Sequence, residues 1–317
     1  MKTEILPPTS AAIARAASAL ADGEPVALPT ETVYGLAANA LDPLACARIF
    51  EAKNRPLSDP LIVHLPDISW LDRIAHPGAL ALRLAEKFWP GPLTLVVPRR
   101  DIVPDLVTAG QGTVALRMSA HPVFRDVARA AATPLAAPSA NRFGRISPTT
   151  AKHVLEELGG RIGLIIDGGP CAHGIESTIV LAGDDGIEIL RHGPITEEQL
   201  AEFGTVRSGG RADIATPGSL KSHYAPATPL DIVEDLSGTV RENTALLAWH
   251  PVSDVTGFSA VEILSQAGDP HEAAANLYAA MRRLDALGLD RILALSMHEE
   301  GLGAAIMERL GKAASRS

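Results

Sequence analysis

Polar side chains able to bind a ligand follow the first buried strand that the sequence predicts. The apolar run 25–28 is typical of a strand, and residues 29–36 come directly after it with two threonines, Glu31 and Tyr34. Gly35 gives the backbone freedom to turn. Polar residues at strand ends in α/β sheets commonly bind ligands. On spacing alone a second interpretation is equally open, a strand-to-helix connection whose threonines only cap the next helix.

Basic side chains occur where several apolar elements end. Lys53 and Arg55 stand at the end of a helix that Pro56 is predicted to stop, so both cations project from a helix end or loop. Arg117 closes an apolar strand, where a buried arginine must be paired or face a ligand that neutralises it. Arg191 ends another strand. Strands that repeatedly end in hydroxyls or arginines indicate a single polar pocket.

A segment with the chemistry of a phosphate site follows the short strand 134–137. Residues 138–149 combine Ser139, Asn141 and Ser147 with two arginines and a glycine, and a helix begins at its end. Backbone amides and helix N-termini attract phosphate, and guanidinium groups match phosphate oxygens. The sequence has no G-x-x-x-x-G-K-[ST] and no G-x-G-x-x-G after a strand, which argues against P-loop ATP hydrolysis and an ordinary dinucleotide site.

Two further features each allow two interpretations. His64 ends an apolar run, and a lone histidine there is more often a hydrogen-bonded core residue than a ligand. Residues 204–229 are rich in Gly, Pro, Ser and Thr, as interdomain linkers are. The Lys-Ser-His-Tyr run at 221–224 also suits a segment that folds over a site.

The composition is that of a globular α/β protein. The chain has 317 residues, enough for two domains, and 46% of them are apolar. No apolar run approaches the roughly 20 residues of a membrane span, and residues 1–4 do not begin a signal peptide. The net charge of −9 argues against a protein that depends on binding polyanions. Cys46 and Cys171 suit neither a disulfide framework nor a zinc site, so we expect a cytoplasmic protein.

Alternating helices and strands position these side chains. Helices are predicted at 9–21, from 43 into 53–56, at 80–88 and at 122–131, and further strands at 93–97, 164–166 and 187–190. Beyond residue 229, strands at 230–233, 245–249, 261–264 and 291–295 alternate with helices at 270–287 and 301–312. This pattern predicts a second, smaller α/β unit with a mainly parallel sheet. It has no catalytic constellation, and Asp285 and His298 are interpreted as solvent-facing.

Six motifs taken together and in order resemble the threonylcarbamoyl-AMP synthase family of the larger, two-domain type. They are residues 29–36 (PTETVYGL), Lys53-x-Arg55-Pro56, residues 88–94 (FWPGPLT), 138–141 (PSAN), 176–178 (EST) and 223–226 (HYAP). The resemblance covers essentially residues 1–229 and, by size and position, the C-terminal domain.

The resemblance implies the fold and its division. A YrdC-like catalytic domain at 1–204 has a twisted, open, mixed sheet that lines a concave, basic pocket. A linker or active-site lid follows at 205–229, and a smaller Rossmann-like α/β domain occupies 230–317.

The resemblance also implies the reaction. Such an enzyme makes L-threonylcarbamoyl-AMP and pyrophosphate from L-threonine, bicarbonate or CO2, and ATP with Mg2+, whose ligands the sequence does not identify. Partner proteins then transfer the threonylcarbamoyl group to the adenosine next to the anticodon of tRNA. Weak or transient contact with tRNA is compatible with this role, and contact with a membrane is not expected.

Residue roles follow from the matched motifs. Arg117 is expected to pair with the threonine carboxylate, and Lys53, Arg55 and Arg191 to hold phosphates or carbamate. The positions matching the threonine side are Thr32, His64, Arg117, Ala137 and Ser177. The positions matching the nucleotide side are Arg55, Asp59, Thr113, Ser139, Asn141, Ser147, Arg191, His223 and Tyr224. Asn54 stands where a glycine is often seen between the two cations, which leaves both cations in place.

Three other functions remain compatible with the same fold. One is a carbamoyl transferase of hydrogenase maturation, although such chains carry zinc-finger-like parts and this one has only two cysteines. Another is an RNA-binding module, which the acidic charge disfavours. The third is a paralogue with an inactive site, which the set Lys53, Arg55, Ser139 and Asn141 disfavours.

Overall fold

The strands of the computed structural model form two separate sheets. The structure describes residues 2–183, 185–209 and 223–315. Within these residues, a mixed sheet of eleven strands occupies the N-terminal part, and a parallel sheet of four strands lies beyond residue 229. The predicted mixed α/β fold with a second, smaller α/β unit is confirmed, whereas the domain boundaries at 204 and 229 stay predictions.

The large sheet is built from short, mostly apolar strands. In spatial order they are β1 (Glu4–Leu6), β8 (Leu164–Ile166), β2 (Val26–Leu28), β3 (Gly35–Asn39), β7 (Leu135–Ala136), β4 (Ile62–His64), β6 (Thr113–Arg117), β5 (Leu93–Pro98), β9 (Thr178–Gly183), β10 (Gly186–Arg191) and β11 (Val206–Ser208). β4 and β6 are parallel, and their register pairs His64 with Arg117. β2 and β3 are antiparallel, with Leu28 opposite Gly35. The polar strand ends are therefore brought to one region of the sheet.

Helices cover both faces of the large sheet. They are α1 (Ser10–Ala21), α2 (Pro43–Lys53), α3 (Leu71–Ile74), α4 (Ala79–Phe88), α5 (Asp105–Thr108), α6 (Pro122–Ala131), α7 (Ala151–Leu158) and α8 (Glu197–Ala201), with a 3-10 turn at Ile68–Trp70. On one face, Leu20 of α1 and Phe124 of α6 share a buried cluster with Leu28. On the other face, Phe50 of α2 and Leu84 of α4 pack with Leu36. In the described part of the chain, no helix is long and apolar enough to cross a membrane.

Caps explain where α2 begins and ends. Asp42 accepts hydrogen bonds from the backbone amides of Leu44 (2.8 Å) and Ala45 (3.3 Å), as an N-cap residue does. At the other end Asn54 is the C-cap, with a left-handed φ of 53°. The helix therefore ends at Lys53, three residues before Pro56, and Lys53 and Arg55 stand at its end as predicted. Asparagine tolerates the left-handed conformation that a helix C-terminus requires, as glycine does.

Three strands were not predicted from the sequence. β3 begins at Gly35, so residues 29–34 connect two strands, and the strand-to-helix interpretation is wrong. β1 and β11 each have three residues and lie at the two edges of the sheet, where so short a run carries no recognisable periodicity. β11 pairs with β10 in parallel and occupies residues 206–208 of the predicted linker.

The second sheet is entirely parallel. Its order is β12 (Leu230–Val233), β15 (Arg291–Leu295), β13 (Thr244–Ala248) and β14 (Ala260–Ile263), accompanied by α9 (Pro270–Asp285) and α10 (Leu302–Ala314). The prediction of a mainly parallel sheet is confirmed. Asp285 is not simply solvent-facing, because its carboxylate accepts hydrogen bonds from the backbone amides of Ala227 (3.1 Å) and Thr228 (2.8 Å).

The second unit packs directly on the loop before β9. Gly174 has a φ of +68°, and a Cβ added there would lie 2.4 Å from the carbonyl oxygen of Ala275 in α9. Only a residue without a side chain permits so close an approach of a helix backbone. Gly174 thus sets how closely α9 can approach the large sheet.

Replacing Gly174 by alanine is expected to destabilise the protein more than the same replacement at a glycine with similar positive φ but no atoms near the added Cβ. Gly110 is the matched control, with a φ of +77° and no atom within 4 Å of an added Cβ. Gly110→Ala should lower the free energy of unfolding by about 1–2 kcal/mol through left-handed strain alone. Gly174→Ala should cost about 1–3 kcal/mol more, because the clash is with backbone. Denaturant unfolding measures both values, and equal costs would contradict the close approach of α9.

Candidate active site

A pocket opens at the polar strand ends of the large sheet. It brings together most of the residues predicted for the site, from eight separate stretches of the chain. The predicted site residues that line it are Thr32, Arg55, His64, Arg117, Ala137, Ser139, Ser177, Arg191, His223 and Tyr224. Glu176 also lines it and was not predicted as a site residue.

The other predicted site residues lie behind or beside this lining. Lys53 contacts Ser139 and Asp59 contacts Arg55, and Asn141 and Ser147 are buried residues in the segment that follows Ser139. Thr113 is the first residue of β6, four positions before Arg117, and is half-buried. In the described part of the chain Thr113 is not among the pocket-lining residues.

The turn after β2 presents Thr32 to the pocket. The hydroxyl of Thr30 accepts hydrogen bonds from the backbone amides of Thr32 (3.1 Å) and Val33 (3.2 Å), and it lies 2.8 Å from the hydroxyl of Thr32. Gly35 then pairs with Ser139 in an isolated antiparallel bridge. Hydrogen bonds within the turn thus fix the hydroxyls of Thr30 and Thr32 beside the segment 138–149.

Arg117 already has a carboxylate partner within the protein. Its Nη2 lies 2.7 Å from Oε1 of Glu31, and the hydroxyl of Ser119 donates to Oε2 of the same carboxylate. Burial alone would raise the pKa of Glu31, but Arg117 and Ser119 outweigh burial and lower this pKa to about 2. Glu31 is therefore ionised at neutral pH, and it fixes the orientation of Arg117.

Lys53 lies beneath the segment that carries Ser139. Its Nζ donates to the backbone carbonyls of Ser139 and Asn141, both at 2.5 Å, and the residue is only 1% exposed. Burial and the neighbouring Arg55 lower the pKa of Lys53 well below its usual range. Asn141 closes the next turn by donating to the carbonyls of Arg142 and Arg145, each at 2.8 Å. Lys53 thus shapes the loop, whereas Ser139 faces the pocket.

Arg55 and Arg191 are the other two cations of the pocket wall. Nη2 of Arg55 lies 2.9 Å from the carboxylate of Asp59 and donates to the carbonyl of Pro60 (2.7 Å). Arg191 donates from Nε to the backbone carbonyl of Ser177 and from Nη2 to its hydroxyl, both at 3.0 Å. Each guanidinium is anchored along one edge by the protein, so its orientation exists before a ligand arrives.

Two histidines of the pocket are neutral. Burial, with Arg117 nearby, lowers the pKa of His64 to about 3. Burial also lowers the pKa of His223 to about 3, although Glu176 opposes this effect. Nδ1 of both rings is buried without a hydrogen-bond partner among the described residues. A neutral imidazole can donate a hydrogen bond from one ring nitrogen and accept one at the other, and it does not repel a positively charged group of a ligand.

Two residues of the second unit hold Glu176, a residue of the pocket wall, in place. Oε2 of Glu176 accepts hydrogen bonds from Nε of Arg309 in α10 and from the hydroxyl of Tyr278 in α9, both at 2.9 Å. Burial raises the pKa of Glu176, but the charges of Arg309 and Arg191 outweigh it, so the net shift is downward. Sequence reasoning missed these partners because Arg309 lies 133 residues from Glu176 and no local pattern links them.

The acidic residues of the pocket do not form a metal cage. Glu31, Asp59 and Glu176 each pair with a different arginine. In the described parts of the chain, no group of three or more His, Cys, Asp or Glu side chains could hold a metal ion. Each of these three carboxylates is instead committed to holding a guanidinium.

Two family models together match almost the whole chain. A model named for Sua5, YciO and YrdC and described as "Telomere recombination" matches residues 18–193. A second, described as "Threonylcarbamoyl-AMP synthase, C-terminal domain", matches residues 195–315.

Individual relatives match over similar lengths. The threonylcarbamoyl-AMP synthase of Bacillus subtilis is 41% identical over 320 residues, covering 95% of this chain and 92% of the relative. That of Pyrococcus abyssi is 41% identical over 314 residues, covering 94% and 92%. The crystal structure of P. abyssi Sua5 complexed with L-threonine superposes with a TM-score of 0.90 and 38% identity, covering 98% of each chain.

The ion pair between Glu31 and Arg117 should make stability depend on pH in a definite direction. The folded pKa of Glu31, about 2, lies below the ordinary value of 4.5, so the stabilisation is complete above about pH 4.5 and is lost as the pH falls toward 2. Between pH 6 and pH 3 this single group should account for about 2 kcal/mol of lost stability. Denaturant unfolding of the wild type and Glu31→Gln at both pH values measures it. An equal pH effect in the two proteins would show that Glu31 is not the group responsible.

Proposed function

The chain belongs to the threonylcarbamoyl-AMP synthase family, and we propose that it makes L-threonylcarbamoyl-AMP and pyrophosphate from L-threonine, bicarbonate or CO2, and ATP. The observation that carries this proposal is the pocket itself. It places Thr32, His64 and Arg117 beside Ser139 and Arg191, so that an amino acid and a nucleotide can meet in one enclosure. The relative solved with L-threonine supports an amino-acid subsite in this fold.

We assign L-threonine to the side of Arg117. A carboxylate can bind the guanidinium that Glu31 holds in place, because an arginine presents several donors in one plane. The neutral ring of His64 offers a hydrogen-bond acceptor to the amine instead of a repelling charge. Ala137 limits the depth of the subsite, and the hydroxyls of Thr32 and Ser177 are the polar groups available to the threonine side chain.

The nucleotide belongs to the side of Arg55 and Arg191. These cations are suited to phosphate oxygens, and Ser139 supplies a hydroxyl next to them. Lys53 stays a proposed phosphate or carbamate contact, and it also holds the segment 139–141, because its Nζ donates to two backbone carbonyls. Asp59, Asn141 and Ser147 support that side from behind, and Thr113 stays a proposed nucleotide contact at the start of β6.

The chemistry requires no covalent intermediate with a side chain. The amine of L-threonine condenses with CO2, losing a proton, or with bicarbonate, losing water, to give a carbamate. A carbamate oxygen then attacks the α-phosphorus, the bond from this phosphorus to the bridging oxygen breaks, and pyrophosphate leaves. Mg2+ enters as part of the substrate MgATP and neutralises phosphate charge. The contribution of the chain is to gather mutually repelling anions and stabilise the developing charge with preorganised cations.

The segment after residue 204 has a proposed role as a lid. Of the predicted linker, residues 210–222, which include Lys221 and Ser222, lie outside the described residues. His223 and Tyr224 are described and line the pocket, and the amide of Ala225 donates to the carbonyl of Gly144 (2.9 Å). Water excluded by this segment would otherwise hydrolyse the mixed anhydride. We further propose that transfer proteins carry the threonylcarbamoyl group to tRNA in the cytoplasm.

The proposed reaction predicts that pyrophosphate release depends on two co-substrates. Purified protein given MgATP should release pyrophosphate only when both L-threonine and bicarbonate are present, and L-serine should support much slower release. A coupled pyrophosphate assay with each component omitted in turn measures this. Release that is indifferent to L-threonine would contradict the proposal, and a salt-dependent mobility shift with duplex RNA would favour the RNA-binding alternative.

The assignment of Arg117 predicts a defect directed at L-threonine. Arg117→Ala should reduce kcat/KM for L-threonine by about 100- to 1,000-fold, because a positioned charge-assisted contact is lost. Arg117→Lys, which keeps a cation opposite Glu31, should retain more activity. Arg129→Ala is the matched control, since Arg129 is an exposed arginine on α6. Normal L-threonine affinity in a folded Arg117→Ala protein would remove Arg117 from the threonine subsite.

A further inference from the structure

The most deeply buried arginine of the second unit points at the catalytic pocket. Arg309 has no exposed surface, yet it lies in α10, beyond the second sheet. Burying a guanidinium is costly unless its charge is compensated. Its shortest ion pair lies across the interface, where Nε donates to Glu176 at 2.9 Å, and Glu308 of the same helix lies 3.6 Å from Nη1. Arg309 therefore binds a residue that lines the pocket of the first unit, in addition to joining the two units.

The contact continues from Glu176 to a cation of the pocket. Ser177 is the next residue in the chain, and both its backbone carbonyl and its hydroxyl accept hydrogen bonds from Arg191. The hydroxyl of Ser177 also lies 2.7 Å from that of Thr94. The position of the guanidinium of Arg191 therefore depends on where Ser177 stands, and Ser177 is anchored through Glu176.

The same turn of α10 holds two more pocket elements. Oε2 of Glu308 accepts a hydrogen bond from the backbone amide of His192 (2.9 Å), the residue after Arg191. The backbone amide of His223 donates to the carbonyl of Lys312 (3.3 Å). Nη1 of Arg309 lies 3.6 Å from Glu308, so the same guanidinium contacts the carboxylates of both Glu176 and Glu308. One helical turn thus touches three separate parts of the nucleotide side.

Helix α9 completes this arrangement through an aromatic stack. Tyr278 donates its hydroxyl to Glu176, and its ring stacks on Tyr224 with centroids 5.7 Å apart. The guanidinium of Arg309 lies 5.5 Å from the centroid of the Tyr224 ring. Tyr224, which lines the pocket, is therefore held by the same two side chains that hold Glu176.

We propose that Arg309 and Tyr278 are positioning residues of the active site, which act through Glu176 and Ser177 to hold Arg191 against the nucleotide. In this arrangement the second unit is part of the catalytic apparatus, although it contributes no group to the reaction itself. The activity readout of this inference rests on the proposed function, but the arrangement of Arg191 can be measured without turnover.

The test uses the full chain and two variants that remove one partner of Glu176 each. Tyr278→Phe removes a single hydroxyl and keeps the aromatic stack, and Arg309→Met removes the cation. Arg283→Met is the matched control, because Arg283 is an exposed arginine of α9 that pairs with Glu262 and not with Glu176. Arg309→Lys keeps a charge opposite Glu176 and should recover part of what Arg309→Met loses. Should Arg309→Met fail to fold, Tyr278→Phe and Arg309→Lys still decide the question.

Two readouts separate positioning from general stability. The first is the Nε–Hε signal of Arg191 in a nitrogen-15 correlation spectrum, assigned by its loss in Arg191→Lys. This signal should shift in Tyr278→Phe and in Arg309→Met and stay in place in Arg283→Met. The second is steady-state kinetics, in which kcat/KM for ATP should fall roughly 10- to 100-fold, mainly through KM, as small displacements of positioned groups do.

The outcomes distinguish this inference from the proposed function. If both variants melt at lower temperature but keep the Arg191 signal and the KM for ATP of the wild type, Arg309 and Tyr278 only join the two units, and the inference is wrong. If the wild type shows no release of pyrophosphate that depends on L-threonine, the proposed function fails, and the Arg191 signal alone then decides the inference in either direction.

Discussion

Buried charges that must be compensated hold this pocket in shape. Three of the arginines in or behind its wall are each paired with a carboxylate: Arg55 with Asp59, Arg117 with Glu31, and Arg309 with Glu176. Removing ions from water costs more than their mutual attraction returns unless the geometry and the further hydrogen bonds are good. We therefore expect the pairs to add little net stability compared with apolar residues, and to fix the orientation of the guanidinium groups. Breaking one partner would leave the other charge buried and alone.

This constraint explains how a chain with a net charge of −9 can present a site for anions. Three carboxylates in or near the pocket, Glu31, Asp59 and Glu176, are each used to hold a guanidinium. An anchored guanidinium does not need to be reoriented when phosphates arrive, which is the condition for strong electrostatic stabilisation of a transition state. Lys53 follows the same logic with backbone carbonyls as its partners, and thereby shapes the segment that carries Ser139.

The two units are connected at the site itself. Gly174 allows α9 to approach the loop before β9, and Glu176 in that loop receives Tyr278 and Arg309. Arg282 of α9 also donates to the carbonyl of Ile146, next to Ser147. Contacts that hold Glu176 and Ile146 thus originate beyond residue 229. A second unit that merely followed the first along the chain would have no reason to bury an arginine there.

The sequence by itself determined the local elements and the chemistry of the site. Apolar periodicity and caps predicted α1, α6, α9 and the parallel second sheet. Motifs singled out Arg55 and Ser139 as candidate site residues, and strand ends singled out Arg117 and Arg191, because these signals are contained in neighbouring residues. Only the tertiary structure decided the pairings. Glu31, in the turn after β2, meets Arg117 at the end of β6, and Glu176 meets Arg309 across 133 residues. The left-handed cap at Asn54 is also seen only in the structure, and β1 and β11 form because a sheet edge is already present. Pairing depends on which surfaces come together, and no local pattern in a single sequence contains that information.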